Sequence, residues 1–258
     1  MNSIISSLYY SPVKSLSFQN IKKCIVKKDI GFLNDRIFAF SRNLSKDKAE
    51  QVEKDPVQRK LINFLTLKNS PVLNKYNFEF RDGKIYLLKD NQEIISILPD
   101  EDHQKKILAD KLIELEVKLP KPSYLLKNKF YPFYDTTHDE KVFNTISLIN
   151  LNSVKDFEIK IGKTIEFQRF RGNIYVKDLD AWKEREWLGK ILLINDIQFK
   201  VLKYIPRCSA TNLKVNSDDI DINIPSQLKK TYNHMDMGVY LLPLDSGQIS
   251  EGDKITLS

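Results

Sequence analysis

Short apolar runs broken by turn residues dominate the chain, and few of them recur at helical spacing. Ile4 to Tyr10 is β-prone and stops at Ser11-Pro12. Ile21 to Val26 forms another run ahead of Asp29-Ile30-Gly31, and Ile37 to Phe40 and Phe64 to Leu67 read as further strands. Phe78–Phe80 and Ile85–Leu87 flank Arg81-Asp82-Gly83-Lys84, a hairpin signal because Asp-Gly tolerates the left-handed dihedrals of a tight turn. The second half predicts strands over Phe143 to Leu151 and Phe167 to Val176. A hairpin follows, from Ile191–Ile194 through Asn195-Asp196 into Ile197–Ile205, and Met237–Leu242 and Lys254–Leu257 close the chain. Helical pattern is rarer. Asp102 to Leu115 places Ile107, Leu108, Leu112 and Leu115 on one face with Asp100 as a cap, and Asn152 or Ser153 caps a short helix that turns Val154 and Phe157 inward. Pro120, Pro122 and Pro132 lie between Leu119 and Lys141 and mark a boundary or crossover. The pattern predicts a mainly β (α+β) fold of two β-barrel-like domains, residues 1–120 and 121–258.

Composition narrows the function classes. At 258 residues the chain can bury a substantial core, and 41% hydrophobic with 29% charged residues is ordinary for a globular protein. Apolar stretches such as Ile191–Ile194 are too short to cross a bilayer, and the first residues lack the basic and apolar regions of a signal peptide, so no membrane association and a cytoplasmic location are expected. There are two cysteines, Cys24 and Cys208, and three scattered histidines, His103, His138 and His234. That set lacks the clustering of a zinc site and the four thiolates of a ferredoxin-type cluster. The net charge is +7, but 33 of the 41 basic residues are lysines spread along the whole chain. Such a diffuse excess describes a solvated surface, and a nucleic-acid partner is not expected.

The eight arginines are more informative than the lysines. Four of them fall in short motifs beside turns. In the expected strand Phe167 to Val176, Arg169, Arg171 and Asn173 share one parity, opposite Phe170, Ile174 and Val176. They form either a solvated face or a row of forked donors for an oxyanion. Tyr204-Ile205-Pro206-Arg207-Cys208 ends a strand with a thiol beside a guanidinium, a neighbour that favours the thiolate. Cys24, mid-strand, reads as core. Pro12-Val13-Lys14-Ser15 offers a charge and a hydroxyl after a stiff turn, and Gly31…Asp35-Arg36 leads into the strand at Ile37.

Together these motifs resemble the MOSC family, which includes the C-terminal region of molybdenum cofactor sulfurases and the amidoxime-reducing components. Pro12–Ser15, Gly31…Asp35-Arg36 and Phe64-Leu65-Thr66…Pro71 resemble its N-terminal β-barrel domain. Ser147…Ser153, Arg169–Asn173, Arg207-Cys208, Gly238-Val239-Tyr240 and Gly247…Asp253 resemble the MOSC domain proper. The resemblance implies a bound molybdenum cofactor (molybdenum with molybdopterin), and no pyridoxal phosphate. Cys208 would be the metal ligand and the catalytic residue. Lys14, Ser15, Arg36, Asn144, Thr145, Arg171 and Asn173 would contact the cofactor, and Arg207 would orient it and keep Cys208 deprotonated. Two departures stand out: Gly172 occupies a position where the family usually carries proline, and Ser209–Asn216 replaces the segment that usually follows the cysteine.

The implied reaction is reduction of a small N-hydroxylated compound. With no cysteines to spare for an iron–sulfur module, electrons would come from a separate donor protein, either ferredoxin-like or a b-type cytochrome with its reductase. Two alternatives remain open at this point. One is a sulfur carrier holding a persulfide on Cys208 for metal-sulfur cofactor assembly. The other is a β-barrel binding module without catalysis.

Overall fold

The computed structural model describes residues 3–134 and 144–257. The first strand, β1 (Ser3–Tyr10), ends at the Ser11-Pro12 turn as its sequence predicts. β2 (Gln19–Ile21) and β3 (Lys23–Lys27) divide the Ile21–Val26 run at Lys22, and β4 (Gly31–Phe32) precedes β5 (Phe38–Phe40). Next comes α1 (Lys46–Lys54), a helix with only Ala49 and Val52 buried and with the Ser45 hydroxyl accepting from the Lys48 N–H. The meander β6 (Tyr76–Arg81), β7 (Lys84–Lys89) and β8 (Gln92–Ile97) follows, its first turn set by Asp82 and Gly83 at φ 51° and 74°. α2 (Asp102–Leu115) and β9 (Leu125–Lys127) complete the first half. The expected strand at Phe64–Leu67 does not form. Asn69 folds the chain back on itself there, accepting from the Thr66 N–H (2.9 Å) and donating to the Phe64 carbonyl (3.0 Å).

The second half begins with β10 (Ile146–Asn150) and α3 (Leu151–Ile161). The Asn150 side chain caps this helix, two residues before the nearer of the expected caps, while Val154 and Phe157 are buried as predicted. The start of the expected strand at Phe143, the end of the crossover segment and His138 lie outside the described residues. β11 (Ile174–Lys177), β12 (Ile191–Ile194) and β13 (Ile197–Pro206) lead to α4 (Ile224–Tyr232), then β14 (Asp236–Pro243), β15 (Gly247–Ser250) and β16 (Lys254–Leu257).

Seven strands close a barrel in the order β1, β11, β10, β14, β13, β12, β16 and back to β1. Only β10 and β11 run parallel, and α3 lies in the connection that a parallel pair requires. Alternation along β13 buries Ile197, Phe199 and Val201, which meet Ile5, Leu8, Leu148, Ile174, Leu192, Val239 and Trp187 in one core. Because β1 comes from the start of the chain, this core is not contiguous in sequence. The first half's own strands stay in small open sheets: β6–β7–β8, and β5 paired with β9. With Leu108 and Leu112 of α2 they surround a second core containing Phe38, Phe40, Phe78, Leu87 and Leu125. Ile107, expected on the inner face of α2, is exposed, and Ile113 is buried in its stead. Asp100 does not cap α2 but pairs with Lys127. No helix among the described residues is long and apolar enough to cross a membrane.

A buried carboxylate sits where α3 starts. Glu184 accepts from Asn150 Nδ2 (2.9 Å) and Ser153 Oγ (2.7 Å), and desolvation pushes its pKa up. A raised carboxyl pKa means the charged form is disfavoured in the folded state, so this group's contribution to stability declines as pH rises above the ordinary glutamate range. Glu184→Gln keeps an acceptor and removes the charge, and is expected within about 1 kcal/mol of wild type at pH 7. Glu184→Ala strands both donors and should cost about 2–4 kcal/mol. Urea melts at pH 5 and pH 8 check both, with Glu184→Gln gaining on wild type at the higher pH.

Candidate functional site

Four loops meet where the two cores touch. The first is the turn after β1. Ser11 Oγ donates to the Leu16 carbonyl (2.5 Å), which folds residues 11–17 into a tight loop with Ser15 and Ser17 at φ 59° and 66°. The second runs from β4 to β5 and carries Asp35 and Arg36. Asp35 is buried and joins three loops: it accepts from the Ser11 N–H (2.8 Å), from Asn173 Nδ2 (3.1 Å) and from the Arg36 guanidinium. Arg36 also lies over the Tyr134 ring, 5.4 Å from its centroid. Tyr134 is itself half-buried, and desolvation raises its phenol pKa well above the ordinary value.

The third loop corrects the sequence reading. Residues Phe167–Phe170 form a 3-10 turn rather than a strand, and Arg171 then takes a left-handed conformation, φ 50°, before β11 begins at Ile174. The alternation that put Arg169, Arg171 and Asn173 in one row therefore does not hold. Arg169 is a buried ion-pair centre, bound to Glu166 (2.6 Å) and Asp221 (2.6 Å). Burial works to lower its pKa, but the two carboxylates outweigh it and raise the value, while Arg169 holds Asp221 down to about 2. Arg171 donates to the Ser17 carbonyl (2.5 Å) and lies over Phe18, 5.3 Å from the ring centroid. Asn173 is saturated within the protein, since Nδ2 donates to Asp35 and to the Tyr9 carbonyl (3.2 Å) and Oδ1 accepts from the Ser147 N–H (3.1 Å) and hydroxyl (2.9 Å).

Gly172 explains its own departure from proline. Its N–H donates to the Tyr175 hydroxyl (2.9 Å), and a Cβ there would lie 2.7 Å from Ile149 Cδ1. Gly172→Pro would delete the donor and press a ring onto Ile149, so a loss of about 2–3 kcal/mol is expected in denaturant unfolding.

The fourth loop follows β13. Register breaks between Val201 and Lys203 and between Tyr204 and Pro206 turn the strand end, and Cys208 emerges exposed ahead of the 3-10 turn Ser209–Asn212. Arg207 is half-buried, and desolvation lowers its pKa. Its guanidinium bolts the third loop to β14, donating Nη1 to the Phe170 carbonyl (2.7 Å) and Nε to the Met237 carbonyl (2.9 Å). The side chain's hydrogen bonds thus make it a structural tie between these segments.

These loops enclose a cavity of about 480 Å³. Of the nine expected site residues, Ser15, Arg36, Thr145, Arg171, Asn173, Arg207 and Cys208 line it. Lys14 is buried behind the wall, donating to the Phe133 carbonyl (3.1 Å), and Asn144 bonds the Asp29 carbonyl outside the lining. Sequence reasoning missed Thr66, Lys203 and Tyr240, which also line the cavity. A pairing signal existed for the last two, because Lys203 faces Tyr240 across β13 and β14.

Two features mark the cavity as built to hold a ligand. Most left-handed residues of the described chain are Gly, Asn or Asp, for which that conformation is cheap. Five are not, and Ser15, Ser17, Arg36 and Arg171 of those five sit in this cavity or the cleft beside it. Two of the five buried side-chain atoms without a hydrogen-bond partner among the described residues, Thr66 Oγ1 and Thr145 Oγ1, also belong to residues that line the cavity. Orphaned hydroxyls, two arginines and an exposed thiol suit an anionic ligand with a thiophilic metal.

Residues 135–256 match the MOSC domain family. The second half of the chain is a MOSC domain. Curated relatives are the mitochondrial amidoxime reducing component 2 of Rattus norvegicus, 28% identical over 138 residues (52% of this chain, 39% of the relative), and that of Homo sapiens, 27% identical over 115 residues (40% and 34%). The chain thus aligns with about two fifths of the relatives' length. Among solved structures, the YuaD protein of Bacillus subtilis covers 99% of this chain and 94% of its own at 10% identity and a TM-score of 0.46. YiiM of Geobacillus stearothermophilus covers 44% and 53% at 20% identity and a TM-score of 0.35.

Proposed function

We propose that this MOSC-domain protein binds the molybdenum cofactor and reduces small N-hydroxylated compounds with electrons from a separate donor protein. The observation that carries the reading is the exposed thiol of Cys208 in the wall of a cavity that also presents Arg36, Arg171 and the unpartnered hydroxyls of Thr66 and Thr145. Homology to proteins named for amidoxime reduction supports the reaction class.

Cys208 would ligate the metal. Ser15, Arg36, Thr145 and Arg171 would hold the pterin and its phosphate, joined by Thr66. Asn173, Arg207 and Lys14 act as positioning residues, because their polar atoms are tied to neighbouring loops. Asn144, outside the lining, would set the approach of the chain to Thr145. When bound, the cofactor supplies two-electron chemistry for N–O cleavage, in which substrate, two electrons and two protons give the reduced nitrogen compound and water. The protein's part is to fix that group and exclude bulk water from its buried face. The first half of the chain, which brings Ser15 and Arg36, would correspond to the N-terminal domain that accompanies MOSC domains, with β1 contributed to the second half's barrel. The donor would be ferredoxin-like or a b-type cytochrome with its reductase.

The test is metal and pterin analysis of protein purified from a molybdenum-competent host, followed by reduction of an aromatic amidoxime with a chemical electron donor. About one molybdenum and one pterin per chain, with turnover, is the expected result. Metal-free protein with releasable sulfur on Cys208 would favour a sulfur carrier and overturn the reductase reading.

A further inference from the structure

Exposed apolar side chains gather on two segments that the fold ties together. Val57 and Ile62 follow α1 and are 73% and 62% exposed, and Phe130 and Tyr131 follow β9 and are 76% and 50% exposed. Arg59 straps one segment to the other. Its Nη1 donates to the carbonyls of Tyr131 (2.6 Å) and Pro132 (3.1 Å), and its Nε to that of Val52 (2.9 Å). The guanidinium also lies over the Phe133 ring, 4.1 Å from the centroid. Asn128 Oδ1 accepts from the N–H groups of Phe130 (3.1 Å) and Tyr131 (2.8 Å), while its Nδ2 donates to the Glu53 carbonyl (2.8 Å). The two exposed rings therefore stand on a backbone pinned from both sides. Side chains presented this way lose little freedom when a partner covers them.

Two further properties say what that partner is. Both segments reach the main cavity, through Leu61 on one and Tyr134 on the other, and Lys68 lines it as well. Residues 56–70 and 121–134 also carry Arg59, Lys60, Lys68, Lys121, Lys127 and Lys129 but no Asp or Glu. Lys60, Lys68 and Lys129 are exposed. An apolar centre with a cationic rim is complementary to an acidic protein surface. A second copy of this chain is a poor match, because it carries the same basic segments and a net charge of +7.

We propose that this patch docks the electron donor, an acidic one-electron carrier protein, beside the cavity. The inference rests on the reading that the cavity holds the reducing cofactor. Each turnover consumes two electrons, so two reduced carriers visit in succession and each leaves oxidised by one electron. That cycle needs a small, short-lived interface, which four apolar side chains with a charged rim supply.

The test uses the holoprotein with two probes, an acidic [2Fe–2S] ferredoxin and an acidic b-type cytochrome, and with reduced methyl viologen as the reference donor. At least one carrier should bind in calorimetric titration and drive amidoxime reduction. Both effects should weaken as salt rises from about 0.05 to about 0.5 M. Phe130→Ser with Ile62→Ser, and separately Lys60→Glu with Lys129→Glu, should weaken carrier binding and raise the carrier's KM about tenfold or more. Turnover with methyl viologen and the melting temperature should not change. Turnover with methyl viologen but with neither carrier overturns the proposal, as do variants that bind and use the carrier like wild type. Wild-type binding to phosphatidylglycerol vesicles that Phe130→Ser abolishes, with carrier kinetics intact, also overturns it and makes the patch a lipid-binding surface. No turnover with any donor, methyl viologen included, overturns the proposed function and this inference with it.

Discussion

Asp35→Ala is expected to destabilise the protein by about 3–5 kcal/mol, the cost of breaking a buried ion pair by removing one partner. Asp35 is 1% exposed and accepts from the Ser11 amide, the Asn173 carboxamide and the Arg36 guanidinium. Its loss strands donors on three separate loops and takes a carboxylate from a guanidinium held in a left-handed backbone. Asp35→Asn is no rescue, because its new N–H donors would confront groups that are themselves donors. Against a total stability of roughly 5–15 kcal/mol, either change is severe. At 2–4 °C per kcal/mol the melting temperature should fall by roughly 10 °C. Urea unfolding of wild type and both variants measures it. A loss below about 1 kcal/mol would show that the three loops are held together without Asp35.

Arg169 gives a second, smaller stability term with a defined pH window. Its bond holds Asp221 at a pKa of about 2, below the unfolded value, so the stabilisation is present above about pH 4 and lost as pH falls toward 2. Arg169→Met should therefore reduce stability at pH 7 and flatten the acid limb of the stability curve, as followed by denaturant melts between pH 2 and 7.

Much of this architecture was legible from residue pattern alone, and the gaps have physical causes. The hairpin of β12 and β13 and the limits of α2 are strong local signals, a turn dipeptide between β-branched runs in the first case and fourteen residues at helical spacing in the second. α1 and α4 escaped because each buries only two side chains, Ala49 and Val52 or Ile224 and Leu228, too few to set a period. β15 looked like punctuation because a four-residue strand starting on glycine has little apolar content of its own, and its pairing with β3 is more than two hundred residues distant. At the site, the sequence located the arginines and Cys208 but not what they do. Extended alternation was read across Phe167–Val176, whereas Arg171 reverses the chain in a left-handed turn that arginine rarely adopts. Asn173 and Arg207 carry the composition of ligand-binding residues and spend their hydrogen bonds on holding loops. Thr66 lay in the Phe64-Leu65-Thr66…Pro71 motif but was not read as a site residue, because what singles it out is burial without a partner, a property of the folded chain.

Cys208→Ala should separate folding from function more cleanly than any other change. The thiol is exposed and takes part in neither core, so stability should stay within about 0.5 kcal/mol of wild type. Metal retention and N-hydroxy reduction should both collapse. Changes to outer-shell partners of a metal typically cost 10–100-fold, so removal of a direct ligand should exceed about 100-fold. Pterin retention should fall less than metal retention, because Arg36, Arg171 and Thr145 remain in the wall. Cys208→Ser, with a hard oxygen in place of a soft thiolate, should resemble Ala rather than wild type. The decisive measurement is molybdenum and pterin content of the three proteins prepared in parallel, with melting curves beside them. Equal molybdenum in wild type and Cys208→Ala would show that the thiol is not the ligand and would return the exposed cysteine to the sulfur-carrier reading.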